Sequence, residues 1–220
     1  MDSLKTMQII KRVTSLSDGR DFIYYDDADT QLSPNRLPDF REPMVRPETA
    51  VMRQDMLTGE WVSIASARQN RVHLPSKDQD PLAPTSPTNQ SEVPSTYDVA
   101  VFENKSPSFG PKLEDENAPT GIEDLNTLGL NRSLTSVGRC EVVCFSPESE
   151  GSFATISRSR ARTVIEAWAD RTDHLSKLKG IEQVFPFENR GEEIGVTLHH
   201  PHGQIYAYPY ITPRTKKLIA

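Results

Sequence analysis

The stretch Leu198-His199-His200-Pro201-His202-Gly203-Gln204-Ile205-Tyr206 contains three of the five histidines of this chain. Its flanks are rich in β-branched and aromatic residues, which predicts strands over 193–200 and 202–209. Residues two apart on a strand point to one face, so we expect His200, His202 and Gln204 to line a common surface. Two imidazoles and an amide there suit phosphate chemistry, because imidazole is a nucleophile near neutral pH and an amide N–H can hold a phosphoryl oxygen. A purely structural role for these histidines is the alternative.

The rest of the chain predicts an α+β fold: an antiparallel sheet with one long helix and extended proline-rich loops. The helix is predicted over 157–178, where apolar residues recur at helical spacing and Ser157 or Ser159 can cap the first turn. Loops are predicted at 75–97 and 105–133 from their proline and polar content. Further strands are predicted at 50–54, 61–65, 98–103, 136–145 and 182–188.

Composition limits the kinds of partner and the compartment. The chain has 220 residues and a net charge of -6, so no nucleic-acid partner is expected. No apolar run approaches the length of a membrane span and no signal peptide is recognisable, which predicts a cytoplasmic protein with no membrane partner. Cys140 and Cys144 lie on one predicted strand about 13 Å apart, too far for a disulfide. We expect both to pack as small buried hydrophobes.

The run from His200 to Ile205 closely resembles the active-site motif of the galactose-1-phosphate uridylyltransferases, a branch of the histidine-triad superfamily. Hydrolases of that superfamily usually have a third histidine where this chain has Gln204. The resemblance extends from about residue 7 to about residue 213, and its N-terminal stretch is most similar to the actinobacterial form. It implies the histidine-triad fold. Further segments that match the family are 55–62, 68–71, 101–104 and 187–191.

The resemblance implies a UDP-glucose:hexose-1-phosphate uridylyltransferase of galactose metabolism. Its substrates would be UDP-glucose and galactose 1-phosphate, and the transfer would proceed in two displacements through a uridylyl-histidine. His202 would be the nucleophile, and the Gln204 amide would hold the transferring phosphoryl group. Arg71 resembles an arginine that reaches across a dimer to a neighbouring substrate. The implied substrate-binding residues are Arg68, Arg71, Asn104, Asn189, Gly195 and Thr197.

The resemblance also raises the question of a metal. The family commonly holds zinc through a Cys-x-x-Cys pair, a later histidine and the first histidine of the motif, which is His200 here. Asp80 and Ala83 stand at the cysteine positions, and Ser149 stands at the histidine position. One imidazole cannot hold a structural zinc. We therefore expect no zinc cofactor, with His200 as the one family ligand that is kept.

The family has a second half of related fold, and the resemblance covers its first half. It implies an N-terminal arm at 1–45, a histidine-triad-like domain at 46–213, and the start of the second half at 214–220. The expected partners are a second copy of the chain, forming a homodimer, or a C-terminal half. Two other readings stay open: a different histidine-triad nucleotidyl transferase, such as a dinucleotide phosphorylase, and a non-catalytic nucleotide-binding remnant.

Overall fold

The structure, a computed structural model, describes residues 8–66, 68, 74–110, 123–124, 130 and 132–220, with the backbone alone at 123–124. These residues form two antiparallel sheets and two helices, α1 (Arg158–Ser176) and α2 (Pro213–Ile219), which confirms the α+β prediction. The larger sheet has the strand order β1 (Ile10–Ser15), β2 (Asp21–Asp26), β5 (Val99–Glu103), β8 (Arg139–Cys144), β10 (His202–Tyr208) and β9 (Gln183–Phe187). The smaller sheet has the order β4 (Trp61–Ile64), β3 (Val51–Gln54), β7 (Arg132–Thr135) and β6 (Glu123–Asp124).

Side chains alternate between the two faces of the larger sheet, and different parts of the chain pack on each face. On β10, Ile205 and Ala207 are buried against α1, while His202 and Gln204 are half-buried on the opposite face. Burial of apolar side chains against the helix is the main stabilising contribution on that side. The opposite face is covered by loop residues, which leaves the motif histidines beneath loops. One core cluster on that second face contains Leu16, Phe22, Tyr24, Leu82, Val93, Tyr97, Ala100, Phe102, Val142 and Cys144.

The two cysteines behave as the sequence predicts. Cys140 and Cys144 are both free and buried. Burial raises the pKa of the Cys140 thiol to about 11 and that of Cys144 further still. Both side chains are therefore packing groups, on the same face of the sheet as the half-buried side chains of β10.

Helix α1 confirms the predicted long helix and its start. The Ser157 hydroxyl accepts a hydrogen bond from the main-chain N–H of Arg160 at 3.1 Å, which satisfies one of the free donors of the first turn. The predicted apolar stripe is only partly right, because Ile165 is 54% exposed. Thr163 and Arg171 take part in the buried face instead, each paired with an acidic residue of the sheet region.

The predicted N-terminal arm contributes to the main sheet. Its residues Asp21–Asp26 form β2, which pairs with β5 in the antiparallel register Phe22↔Phe102. Strand β1, which the sequence analysis missed, pairs with β2 at the edge of the sheet. Five of its six residues are exposed, so its apolar pattern is too weak to signal a strand.

The predicted strand over 193–200 is wrong. Residues Glu192–Ile194 form a short 3-10 turn, and Gly195 has the left-handed conformation with φ 77°. Residues 196–200 are irregular. Both edges of β10 are already paired, with β8 on one side and β9 on the other, so this segment cannot pair with β10. Consequently His200 does not share the strand of His202. The predicted strand over 136–145 is also shorter than expected and begins at Arg139, after Gly138 with φ 140°.

Candidate functional site

The hydrogen bonds of His202 define which ring nitrogen is available for chemistry. Its Nδ1 lies 2.7 Å from the main-chain carbonyl oxygen of His200. A carbonyl oxygen can only accept, so Nδ1 carries the hydrogen and the lone pair lies on Nε2. The acceptor that orients the imidazole is therefore the backbone two residues earlier in the chain. The sequence alone did not identify it.

Gln204 lies on the same face of β10 as His202, as predicted. It is paired across the sheet with Val142 of β8 and Phe187 of β9. Its side-chain carbonyl oxygen is buried and has no hydrogen-bond partner within the part of the chain that the structure describes. An unpaired buried acceptor of this kind suits a ligand that donates a hydrogen bond, because unpaired buried polar groups are costly to keep.

Close packing explains why a glycine, Gly203, lies between His202 and Gln204. A Cβ placed there would lie 2.8 Å from the carbonyl oxygen of Phe187 and 2.9 Å from the ring of Phe145. Both distances are shorter than real Cβ contacts, and one of the two atoms is backbone of the neighbouring strand. Only glycine therefore allows β9 to approach β10 closely while His202 and Gln204 keep their register.

Gly203→Ala should push β10 away from β9. We expect the free energy of unfolding to fall by about 1–3 kcal/mol, the usual cost of overpacking, and the amide resonances of both strands to shift. Denaturant titration and a two-dimensional NMR spectrum measure both effects. Gly59→Ala is the control, because a Cβ at that turn meets no atom within 4 Å and only the backbone conformation is strained. Unmoved β9 and β10 resonances in Gly203→Ala would contradict this packing role.

The side chain of His200 is buried, and both of its ring nitrogens lie within hydrogen-bond distance of oxygen atoms. Its Nδ1 lies 2.6 Å from a carboxylate oxygen of Asp80, and its Nε2 lies 2.8 Å from the carbonyl oxygen of Ser146. The Tyr97 hydroxyl is 2.8 Å from the same Nε2 and can donate to the carbonyl of Leu82 at 2.9 Å. Both ring nitrogens therefore face oxygen atoms, and Nδ1 donates to Asp80 when that carboxyl is ionised.

Asp80 is held in its ionised form. Burial alone would raise the pKa of this carboxyl. The hydrogen bond and charge of His200, together with hydrogen bonds from Ser149 and Leu82, outweigh burial and lower the pKa below its usual value. The pair is thus a buried carboxylate in direct contact with a buried imidazole.

This arrangement does not fit a structural zinc. A zinc ligand must offer a lone pair to the ion, but both ring nitrogens of His200 face oxygen atoms of the protein, at 2.6 and 2.8 Å. The 2.6 Å contact between Asp80 and His200 also leaves no space for an ion between them. Within the described ranges, no group of three or more His, Cys, Asp or Glu side chains could hold a metal.

A cavity of about 530 Å³ lies beside the two motif histidines. His202 and Asn189 both line it, and Asn189 is the second residue after the end of β9. Lys77 and Arg190 also line its wall, and Lys77 pairs with Glu150 at 2.8 Å. The wall also has acidic residues, namely Asp80, Glu150, Glu188, Glu192 and Glu193.

A second group of predicted residues lies together at the end of β5. The Arg68 guanidinium donates to the carbonyl of Ser106 at 3.1 Å, and the Asn104 side chain accepts from the Ser106 N–H at 2.9 Å. These residues do not line the cavity beside His202. The predicted site residue Arg71 lies outside the described residues.

Gly195 and Thr197 lie in the irregular segment before the motif. The Thr197 carbonyl accepts from the Leu74 N–H at 2.8 Å, which ties this segment to the loop that leads to Asp80. Val196 and Leu198 line the cavity, whereas Gly195 and Thr197 do not. The structure thus brings Asn189 to His202 but not these two predicted phosphate contacts. The sequence analysis missed Tyr97 and Ser146, since no local motif marks them.

Comparison with known proteins identifies the family of this chain. Residues 29–212 match the family model described as galactose-1-phosphate uridyl transferase, N-terminal domain. The galactose-1-phosphate uridylyltransferase of Streptomyces lividans is 43% identical over 210 residues, which cover 95% of this chain and 51% of that protein. The Thermotoga maritima protein of the same name is 36% identical over 163 residues, covering 74% of this chain and 48% of its own.

A solved structure described as "Structure of uridylyltransferase" superposes with a TM-score of 0.58 at 25% identity. The superposition covers 77% of this chain and 49% of that one. The chain therefore spans about half the length of the relatives that it matches.

Proposed function

The chain belongs to the galactose-1-phosphate uridylyltransferase family, and we propose that it transfers a uridylyl group from UDP-glucose to galactose 1-phosphate through a covalent intermediate on His202. One observation supports this most directly. The Nδ1–H of His202 donates to the carbonyl of His200, so the ring lone pair that a nucleophile needs lies on Nε2. The cavity beside that ring can receive a ligand.

In the first displacement, Nε2 of His202 attacks the α-phosphorus of UDP-glucose. A P–N bond forms, and the P–O bond to glucose 1-phosphate breaks. This leaving group departs as a stable phosphate anion, so it needs little proton donation, and Gln204 suffices where a titrating histidine would otherwise stand. The positive charge that develops on the ring is stabilised by the carbonyl of His200, 2.7 Å from Nδ1.

In the second displacement, a phosphate oxygen of galactose 1-phosphate attacks the same phosphorus. The P–N bond breaks, the electron pair returns to Nε2, and UDP-galactose leaves. We propose that Gln204 holds the phosphoryl oxygens in both steps and that Asn189, at the cavity wall, contacts the nucleotide. The remaining proposed substrate contacts are Arg68, Arg71, Asn104, Gly195 and Thr197.

Measuring the two displacements separately tests the proposal. UDP-glucose labelled in the α-phosphate should leave acid-labile label on the protein and release an equal amount of glucose 1-phosphate. Addition of galactose 1-phosphate should then remove the label as UDP-galactose. Labelling by a dinucleoside polyphosphate but not by UDP-glucose would favour the phosphorylase alternative. Binding of UDP-glucose without label would favour the non-catalytic one.

Gln204→His should increase hydrolysis relative to transfer. The new imidazole keeps a hydrogen-bond donor but can also accept a proton from water, which assists attack of water on the uridylyl-histidine. We expect the ratio of UMP to UDP-galactose to rise about tenfold or more, as measured by chromatography of the products. Gln31→His, on an exposed turn, is the control and should leave the ratio unchanged. An unaltered ratio in Gln204→His would count against a non-titrating role for Gln204.

For the assembled molecule, we propose a homodimer or a pairing with a segment equivalent to the rest of the longer relatives, located in the cytoplasm. Exposed apolar side chains at Leu37, Phe40 and Val45 support a further contact surface. Two free buried thiols support a reducing compartment. Among the helices that the structure describes, none has the length and apolar character to cross a bilayer.

A further inference from the structure

We propose that the buried Asp80–His200 pair replaces a structural metal in this chain and positions the His202 nucleophile without one. The part that concerns the nucleophile rests on the proposed function, whereas the metal-free anchoring of the fold does not. Asp80 does not contact the reacting atoms and acts through His200, so it is a positioning residue.

Hydrogen bonds other than that to His200 also hold Asp80 in place. It follows the short 3-10 turn Lys77–Gln79, and one carboxylate oxygen accepts from the Leu82 N–H at 2.9 Å. The Asn89 side chain donates to the Asp80 carbonyl at 2.8 Å. The other carboxylate oxygen therefore presents a rigid acceptor to Nδ1 of His200.

His200 joins three segments that are far apart in the sequence. Its side chain is fully enclosed, with 0% exposure, between Asp80, Tyr97 and the carbonyl of Ser146 just after β8. Cross-linking distant loops at a single buried point is the role of a structural metal. Here the hydrogen bonds of the Asp80–His200 pair do this, and both ring nitrogens have oxygen partners, as buried polar groups require.

The anchored residue also orients the nucleophile. The carbonyl of His200 accepts the Nδ1–H of His202, so the lone pair of the ring lies on Nε2. If the His200 ring loses Asp80, the peptide that bears this carbonyl is less constrained. His202 can then populate the other tautomer, in which the nitrogen that faces a substrate is protonated and cannot attack.

Three measurements on the 220-residue chain and its variants test the proposal. Elemental analysis and thermal melting with and without a chelator report on metal. Nitrogen-15 NMR of labelled histidine reports the tautomer of His202, and labelling by UDP-glucose reports the rate of the first displacement. The variants are Asp80→Ala and Asp80→Asn, because asparagine keeps an acceptor for Nδ1 but removes the charge. Asp78→Asn, on the exposed turn two residues earlier, is the control.

We expect the unsubstituted chain to contain no stoichiometric zinc, and its melting temperature to change by less than about 1 °C with chelator. Asp80→Ala should give a mixture of His202 tautomers and slow the labelling roughly tenfold or more, since misorientation reduces attack. Asp80→Asn should lie between Asp80→Ala and the unsubstituted chain, and Asp78→Asn should match the unsubstituted chain.

About one zinc per chain, with a melting temperature that falls in chelator, would overturn the metal-free anchoring. An unchanged His202 tautomer in Asp80→Ala would overturn the positioning role, and Asp80→Asn decides the same question if the alanine variant does not fold. If UDP-glucose fails to label even the unsubstituted chain, the proposed function fails. The tautomer and chelator measurements still decide this proposal in that case.

Discussion

His202→Asn should lower covalent labelling by UDP-glucose at least about a thousandfold, because the nitrogen that forms the P–N bond is removed. Asparagine is close in size to the imidazole, and its amide can still donate to the carbonyl of His200. The fold around β10 should therefore persist, and the loss should be confined to chemistry. Rapid-quench measurement of acid-labile label, with circular dichroism as a check of folding, gives the comparison.

His199→Asn is the matched control, since it removes the adjacent imidazole of the same run. The His199 side chain is 59% exposed and lies 3.8 Å from Glu192, so it also borders the cavity. We expect it to retain the label. Label that survives in His202→Asn but disappears in His199→Asn would show that His199 is the nucleophile and would contradict the proposed mechanism.

The local half of this site could be predicted from the sequence. Strand periodicity alone places His202 and Gln204 on one face, and the structure confirms it. The support beneath His200 could not be predicted, because its partners Asp80 and Tyr97 lie 120 and 103 residues away along the chain. No spacing rule links residues at such separations, and only the folded sheet and its loops bring them together.

The incorrect strand over 193–200 has a different cause. β-Branched residues there favour a pleated surface, but strand formation also needs a free neighbouring strand. β10 already pairs with β8 and β9, and positive φ angles at Gly191 and Gly195 turn the chain away. Tertiary pairing thus decides against local propensity. In the resulting irregular segment, His200 lies in the interior, whereas a strand would have placed it on the same face as His202.

Helix α1 shows the same limit on its buried face. Its length and start follow from periodicity and the cap, yet Arg171 is 5% exposed where a purely apolar stripe was expected. The guanidinium forms two hydrogen bonds with Glu141 of β8, at 2.9 and 2.7 Å. A cation can occupy a buried helical face only with such a partner, and that partner is 30 residues earlier.

Arg171→Met should therefore be among the most destabilising single changes in the chain. Methionine keeps the length of the side chain but leaves the Glu141 carboxylate buried without a counter-charge. Breaking a buried pair in this way costs about 3–5 kcal/mol. For a chain of this size the melting temperature should fall by about 10 °C or more. Denaturant titration measures the free energy and calorimetry the temperature.

Arg162→Met is the matched control, because it removes the same type of charge from the same helix. Arg162 pairs with Glu166 at 3.9 Å with both side chains more than half exposed, so its loss should cost only about 0.5 kcal/mol or less. The double variant Arg171→Met/Glu141→Leu should be more stable than Arg171→Met, since it removes the stranded charge as well. Equal costs for Arg171→Met and Arg162→Met would show that the buried pair contributes no more than a surface one. In that case, apolar packing alone would hold β8 in place beside β10, the strand of His202.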